Sequence, residues 1–293
     1  MSVLERKSSG IEVMPHCLIV FGLEGVGKSS FAASFPKPFF VDLEGGSKSF
    51  NVDRVTDVTW NETLDVLEEL KTTDYMTIVI DSLDWLEALL HKHVCEKQKV
   101  SAIEDSFGSY GKWVNGVLGE WKPFVQLLKE LRSLGKNIVM ISHYQVKVFN
   151  DPATSLPYDR YTLKLVDKVS AMFKEWVDCV LFANFETYSG STDAKAKKGK
   201  GFSTGLRKLY CEKRAAYDAK NRFGLPESIN LDYEEFIRLA VAIKTDTKKE
   251  IEELLLDISD AVLIEKVRAS MIGADSNKLN QIKNRVLVIL QGK

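Results

Sequence analysis

The stretch Gly22-Leu-Glu-Gly-Val-Gly-Lys28-Ser29 constrains this chain more than any other part of its sequence. It has the spacing G-x-x-x-x-G-K-[ST], and its glycines permit a bend whose backbone amides point inward, towards an anion at the start of a helix. An apolar run over residues 16–21 precedes it, and a short helical opening over 30–34 follows it. That is the strand–loop–helix setting the motif requires, so the spacing predicts a loop that binds the phosphates of a nucleotide.

Individual positions of this loop have expected roles. Lys28 would reach the β- and γ-phosphates, and the Ser29 hydroxyl would coordinate Mg²⁺. The simpler alternative is a glycine-rich turn that only joins strand to helix. GTP is disfavoured as the nucleotide because the chain contains no Asn-Lys-x-Asp string. The expected nucleotide-binding residues are Gly22, Leu23, Glu24, Gly25, Val26, Gly27, Lys28, Ser29 and Ser30.

Composition narrows the class of protein. The chain has 293 residues, of which 45% are hydrophobic and 28% charged, enough for one large or two smaller domains with a sizeable core. Its net charge of −1 means that nucleic acid would have to bind to a local basic patch. Four cysteines without a CxxC pair favour buried thiols in a reducing compartment. Residues 1–10 are polar and no apolar run approaches the roughly 20 residues of a membrane span, so a cytoplasmic protein without a membrane partner is expected.

Strand-like runs alternate with helical patterns along most of the chain. Three such runs would each present a polar residue at one edge of a sheet: 38–42 before Glu44, 76–80 before Asp81, and 137–141 before His143. The carboxyl end of a parallel strand beside a phosphate loop is where a second carboxylate on the Mg²⁺ side is presented, which suits Asp81. Helical spacing predicts helices over 61–72, 83–98, 113–134, 163–175 and 232–243.

These patterns predict an α/β fold, a P-loop NTPase core with a mostly parallel sheet flanked by helices on both faces. Segments 104–112 and 145–161 read as loops, and 186–206 as a mobile Gly-, Ser- and Lys-rich insertion. The last part of the chain reads as two or three amphipathic helices separated near Gly273. The expected domains are a lead-in over 1–14, the core over 15–244 and a helical module over 245–293.

Several stretches together resemble the RecA family of strand-exchange ATPases, and most closely its phage-encoded single-strand annealing group, also described as phage nucleotide-binding AAA-type proteins. The resemblance covers about residues 12–240. The stretches that carry it are 22–29, 39–44, 77–81, 138–143, Lys213-Arg214 and 219–226.

The resemblance implies a RecA-like core that binds ATP and Mg²⁺, with Asp81 holding the ion through its water shell. It implies that Glu44 activates the attacking water. Glu24, which lies inside the phosphate loop, is a lower-ranked candidate for orienting that water. His143 stands where the family has a glutamine that senses the γ-phosphate, and an imidazole can also hydrogen-bond phosphate. Lys213 and Arg214 fall near basic residues that reach a neighbour's ATP, which implies a homo-oligomer with ATP between protomers.

The resemblance also implies single-stranded DNA as a partner, because segments 104–112 and 145–161 correspond to the family's DNA-contacting loops. Aromatic residues interleave with basic ones in the second segment, which suits base stacking, although aromatics at the base of a loop are often core residues. The lysine run could equally be a solvated loop. The expected DNA-binding residues are Lys147, Arg160, Lys195, Lys197, Lys198 and Lys200.

The function predicted from these observations is an ATP-hydrolysing, RecA-like protein that binds single-stranded DNA. It would promote annealing or homologous recombination in phage replication, in the cytoplasm of a bacterial host. One alternative is an AAA-like remodeller or loader of a single-strand-binding or replication protein, docked by the C-terminal helices. A small-molecule kinase is the weakest alternative, since no Arg-rich lid is evident.

Overall fold

The structure is a computed structural model that describes residues 14–108, 111–190, 200–256, 258, 260–274 and 276–291. It divides into two compact units, of which one spans Pro15–Phe236 and the other includes the helices from Ile237 onward. The domain boundaries expected at 14/15 and 244/245 stay predictions. No helix in the described ranges is long and apolar enough to cross a bilayer.

The larger unit is built on a sheet in which most neighbouring strands run parallel. The strands of the described chain are β1 (Cys17–Gly22), β2 (Pro38–Asp42), β3 (Asp53–Thr56), β4 (Thr77–Asp81), β5 (Asn137–Ser142), β6 (Tyr144–Phe149), β7 (Tyr158–Leu163), β8 (Cys179–Gly190), β9 (Lys200–Tyr210), β10 (Lys220–Asn221) and β11 (Ser228–Asn230). The main sheet has the order β11-β9-β8-β1-β5-β4-β2-β3, with β10 paired to β8. The strands from β8 to β3 are parallel, while β9, β10 and β11 are antiparallel additions.

Helices connect the strands of the larger unit, and further helices belong to the smaller unit. Those of the described chain are α1 (Lys28–Ala33), α2 (Trp60–Glu69), α3 (Leu83–Gln98), α4 (Trp113–Glu120), α5 (Lys122–Ser133), α6 (Asp167–Trp176), α7 (Tyr233–Leu255), α8 (Ala261–Met271) and α9 (Ser276–Gln291). Every residue of β1 is buried, and since successive side chains of a strand point to opposite faces, the sheet is covered on both. The α/β fold with a mostly parallel sheet is confirmed.

Local sequence explains where several helices begin. Thr59 and Glu62 form a reciprocal capping box, in which the Glu62 amide donates to Thr59 Oγ1 at 3.3 Å and the Thr59 amide donates to Glu62 Oε2 at 2.8 Å. Such a pair satisfies amides that the first helical turn leaves without partners, so α2 begins at Trp60. The helix predicted over 83–98 is confirmed as α3.

Three sequence-based expectations for this unit were wrong in detail. The single helix expected over 113–134 is two helices, with Pro123 near the start of the second, because proline has no amide for a continuing helix. The 145–161 segment is a β6–β7 hairpin rather than a loop. The described part of 186–206, residues 186–190 and 200–206, lies in β8 and β9, and the remainder of the predicted insertion lies outside the described residues.

Candidate nucleotide-binding site

The phosphate loop follows the buried strand β1 and leads directly into α1. Its glycines adopt conformations that other residues rarely take, with φ of 147° at Gly22 and 109° at Gly27. Gly22 also lies against β8, where an added Cβ would approach Ala183 O to 1.9 Å. A side chain at Gly22 is therefore excluded both by backbone conformation and by contact.

Lys28 lies inside the bend of this loop. Its Nζ donates to Gly22 O at 2.9 Å and to Leu23 O at 2.8 Å, and the residue is only 7% exposed. Burial lowers the pKa of Lys28, and the charges of Glu24 and Asp81 counteract that shift. A lysine ammonium has three donors, so one N–H is left for a phosphate oxygen.

Ser29 and Asp81 bring two oxygen donors together beside the loop. Ser29 Oγ donates to Asp81 Oδ2 at 2.7 Å, and burial raises the pKa of Asp81 to about 6. Mg²⁺ prefers oxygen ligands and keeps several waters when protein carboxylates bind it. A hydroxyl and a carboxylate at the phosphate loop fit that ion, and the structure brings together the two residues expected to hold it.

Glu44 is positioned by the residue that ends β2. Asp42 accepts hydrogen bonds from the amides of Gly45 at 2.7 Å and Ser47 at 2.9 Å and from the Ser47 hydroxyl at 2.6 Å. Burial raises the pKa of Asp42, but the hydrogen bonds from Ser47, Gly45 and Gly46 outweigh it and hold the pKa below its usual value. This buried carboxylate fixes the turn that presents Glu44.

His143 lies next to Glu44 at the end of β5. Its Nδ1 is 2.9 Å from Asp84 Oδ2 and 3.5 Å from Glu44 Oε1, and Ser82 Oγ donates to Glu44 Oε1. The hydrogen bond to Asp84 is the main reason that the pKa of His143 is raised, with the charge of Glu44 adding to it. The three side chains Glu44, Asp84 and His143 form one polar cluster.

The strand order explains why these residues meet. β5 lies between β1 and β4 in the sheet, and β2 lies on the other side of β4. Since the carboxyl ends of parallel strands share an edge, His143 is placed between the phosphate loop and Asp81, and Glu44 follows the next strand. The expected residues of the loop, Glu44, Asp81 and His143 therefore converge at one edge.

Lys213 and Arg214 form ion pairs within their own chain. Lys213 Nζ is 3.9 Å from Asp218 Oδ1, and Arg214 Nη2 is 2.7 Å from Glu227 Oε2. Both side chains are about half exposed, and exposed pairs of this kind contribute little energy. A role at a neighbour's ATP stays a prediction.

The expected DNA-binding residues have different surroundings. Lys147 forms an ion pair with Asp167 at the start of α6. Arg160 does not fit its expected role: it is 4% exposed, its Nε donates to Ala215 O at 2.9 Å, and its guanidinium lies 3.7 Å from the centre of the Phe149 ring. It is a packing residue because the segment around Ala215 covers the hairpin. Lys195, Lys197 and Lys198 lie outside the described residues, and Lys200 begins β9.

Two residues near the site were missed in the sequence. Asp84 lies in the first turn of α3, and its position three residues after Asp81 was an available signal. Arg207 reaches the phosphate loop from β9, with Nη1 3.2 Å from the point where a Cβ on Gly27 would lie. No local signal marks Arg207, because its position depends on the long-range pairing of β8 with β9.

Fold and site together define a P-loop nucleotide-binding protein with a mostly parallel sheet. Residues 14–223 match the AAA domain family. The match covers more than half of the chain, so this protein belongs to that family.

A relative and a solved structure are also similar to the chain. The chain is 23% identical over 133 residues to the SPbeta prophage-derived uncharacterized protein YorG of Bacillus subtilis (strain 168), an alignment that covers 43% of this chain and 40% of that protein. The chain thus matches about two fifths of that relative's length. The crystal structure of the RadB recombinase aligns with a TM-score of 0.40 and 16% identity, covering 76% of this chain and 90% of that one.

Proposed function

We propose that this protein binds and hydrolyses ATP and uses the nucleotide to control its binding to single-stranded DNA, in annealing or homologous recombination during phage replication. The observation that carries the proposal is the convergence of Lys28, the Ser29–Asp81 pair, Glu44 and His143 at one sheet edge. A phosphoryl-transfer site contains a group that binds the phosphates, oxygen ligands for a cation, a base and a second hydrogen-bonding group.

Each residue has a distinct part in the proposed hydrolysis. Ser29 and Asp81 would hold Mg²⁺, which when bound would supply positive charge to the phosphates. Lys28 binds the phosphates with the donor that the loop carbonyls leave free. Glu44 accepts a proton from the attacking water, because a carboxylate held at a strand end is a positioned base. His143 donates to the γ-phosphate.

A groove beside this site supports the DNA part of the proposal. It has a volume of about 660 Å³, lies between α3 and the base of the β6–β7 hairpin, and is lined by Trp85, Lys147 and Lys164 among others. Trp85 is 50% exposed, and exposed aromatics beside lysines suit base stacking with phosphate neutralisation. Two acidic residues, Asp84 and Glu87, also line the groove. Asp84 accepts hydrogen bonds from His143, and burial raises the pKa of Glu87 to about 7, which reduces its negative charge.

Phage origin and assembly are further parts of the proposal. The relative from Bacillus subtilis is described as prophage-derived, and the sequence resemblance points to a phage group whose members act in the cytoplasm of a bacterial host. Exposed Lys213 and Arg214 are available to reach the ATP of a neighbouring protomer. We expect a homo-oligomer with ATP between protomers.

The test is binding of a fluorescent single-stranded oligonucleotide with and without ATP–Mg²⁺, across a salt titration, for wild type and Lys28→Ala. We expect tight binding that ATP strengthens and Lys28→Ala weakens. The binding should also be salt-sensitive, because contacts to DNA phosphates release counterions. Lack of binding at low salt in every nucleotide state would exclude the DNA function.

The second candidate is an AAA-like remodeller or loader of a replication protein. It is favoured by the match to the AAA domain family and by the separate core of the helical unit, which includes Ile251, Leu255, Val267, Leu279 and Val286. Such a unit could bind a single-strand-binding or replication protein. ATP turnover that a protein partner stimulates and single-stranded DNA does not would favour this candidate.

A further inference from the structure

His143 is held between two carboxylates that come from different elements. Asp84 on α3 is the nearer, and its side chain is only 6% exposed. It accepts two hydrogen bonds from His143, from the backbone amide at 3.0 Å and from ring Nδ1 at 2.9 Å. Ser82 Oγ lies 2.9 Å from Asp84 Oδ1 as well as beside Glu44 Oε1, and its single hydrogen is donated to one of the two carboxylates at a time. Glu44 Oε1 is 3.5 Å from the same ring nitrogen. The imidazole is thus fixed by its backbone and its ring together.

This arrangement determines which ring nitrogen carries hydrogen. An ionised carboxylate can only accept hydrogen bonds, so Nδ1 must be the donor to Asp84. In a neutral ring the other nitrogen, Nε2, then presents a lone pair and repels a phosphate oxygen. Only the charged ring has a hydrogen on Nε2 to donate. A glutamine at this position would donate at any pH.

The surrounding charges favour the charged ring. Asp84 raises the pKa of His143 most, burial lowers it, Glu44 raises it, and Lys28 lowers it. Lys164 also faces the cluster, with Nζ 3.8 Å from Asp84 Oδ2. Because the pKa is raised, the charged form is present below the folded-state pKa and is lost as pH rises through it.

We propose that Asp84 is a positioning residue that holds His143 as an imidazolium, whose Nε2–H distinguishes a nucleoside triphosphate from a diphosphate, so that the preference for triphosphate falls as pH rises. This inference rests on the proposed function, because it takes the γ-phosphate to bind next to His143. The imidazolium would select the triphosphate through its charge, whereas a glutamine at this position would use a neutral donor.

The test compares the Kd of a non-hydrolysable ATP analogue with the Kd of ADP, both with Mg²⁺, from about pH 6 to about pH 9, a range that brackets histidine titration. The ratio of ADP Kd to analogue Kd in the wild type should fall by about tenfold, the size of one hydrogen bond to a charged group. In His143→Gln the ratio should lack this fall. The γ-phosphate itself also titrates, and because it does so equally in His143→Gln, the difference between the two proteins leaves its effect out. Titration of Asp81 affects the Kd values of both nucleotides alike, since both bind with Mg²⁺, so it cancels in the ratio.

Asp84→Asn separates positioning from a merely structural role. Its Oδ1 can still accept from the His143 amide, as Asp84 Oδ1 does, which places the Asn amide nitrogen opposite Nδ1 as a donor. The ring then becomes neutral with its hydrogen on Nε2, so the triphosphate preference should persist at high pH. Proton NMR of the four histidines, with the His143 signal assigned by its absence in His143→Gln, should show the His143 midpoint lowered in Asp84→Asn without nucleotide.

A wild-type ratio that is flat with pH, or that falls equally in His143→Gln, would overturn the inference. An unchanged His143 midpoint in Asp84→Asn would also overturn it. If neither nucleotide binds at any pH and Lys28→Ala behaves as wild type, the proposed function fails instead. The NMR midpoint needs no nucleotide and still tests the link between Asp84 and His143.

Discussion

Asp42 is the residue on which the position of Glu44 depends. Asp42→Ala would remove the acceptor of the Gly45 and Ser47 amides, of which the Ser47 amide is buried. Leaving a buried amide without a partner costs about 1–3 kcal/mol in the free energy of unfolding. Displacing a catalytic base by about an ångström costs roughly a hundredfold in rate. We expect turnover to fall by about that factor while nucleotide affinity changes little, as measured by steady-state ATPase and nucleotide titration.

The matched control for this variant is Asp53→Ala, since Asp53 is an exposed carboxylate that accepts only from the Tyr75 hydroxyl among the hydrogen bonds of the described chain. Asp53→Ala should keep full turnover. An Asp42→Ala protein as active as this control would contradict the assigned role of the Glu44 turn.

The lowered pKa of Asp42 also predicts how the stability of the fold changes at acidic pH. Its folded-state pKa lies below the ordinary value of 3.8 because the hydrogen bonds from Ser47 and its neighbours outweigh burial. The carboxylate therefore stabilises the fold above pH 3.8, and that contribution is lost as pH falls through the lower folded-state pKa. Denaturant unfolding at a series of acidic pH values should show a smaller loss of stability in Asp42→Asn than in the wild type. Equal losses would show that Asp42 is not a source of acid sensitivity.

At the scale of elements, helix α3 and the β6–β7 hairpin form the groove assigned to DNA. Trp85→Ala should weaken single-stranded DNA binding by about 1–3 kcal/mol, which raises Kd roughly 5- to 150-fold, because stacking on an aromatic ring contributes about that much per base. Leu134→Ala, which truncates an exposed apolar residue after α5, is the control. Fluorescence anisotropy with a labelled oligonucleotide measures both, and equal Kd values for the two variants would remove the groove from the DNA site.

Some elements could be predicted from the sequence because their signals are local. The β-branched run ending at Asp81 is typical of a buried parallel strand, and α3 follows from its own periodicity. Apolar periodicity continues through 113–134 and masks the break between α4 and α5, which Pro123 marks at the start of the second helix. The β6–β7 hairpin was missed because prolines and polar residues hid the alternation of Val146 and Val148.

The residues of the site likewise differ in whether a local or a long-range signal determines their position. The loop and Asp81 are marked by spacing within single segments, so the sequence placed them correctly side by side. The burial of Arg160 depends on a segment more than fifty residues away, and the approach of Arg207 to Gly27 depends on the β8–β9 pairing. Contacts of this kind leave no trace in the local sequence.

At the scale of the whole molecule, the proposed oligomer predicts complementation between inactive variants. Lys28→Ala lacks the lysine that binds the phosphates, and Arg214→Ala lacks the residue proposed to reach the neighbour's ATP. If Arg214 acts across an interface, mixing the two variants forms sites with Lys28 from one protomer and Arg214 from the other, and ATPase activity should recover to a fraction of the wild-type rate. Mixing Lys28→Ala with Glu44→Gln is the control without recovery, because both residues serve the same protomer's site.

Activity that stays absent in the first mixture would place the action of Arg214 within its own chain, where it pairs with Glu227 at 2.7 Å. Recovery in both mixtures would show that Glu44 also acts across the interface.

The most direct measurement of the central claim is ATP turnover with and without single-stranded DNA for wild type, Lys28→Ala and Glu44→Gln. We predict that DNA stimulates turnover by the wild type, that Lys28→Ala loses nucleotide binding and turnover together, and that Glu44→Gln binds nucleotide but turns over at least about a hundredfold more slowly. Turnover that is independent of DNA and unchanged in Glu44→Gln would contradict it.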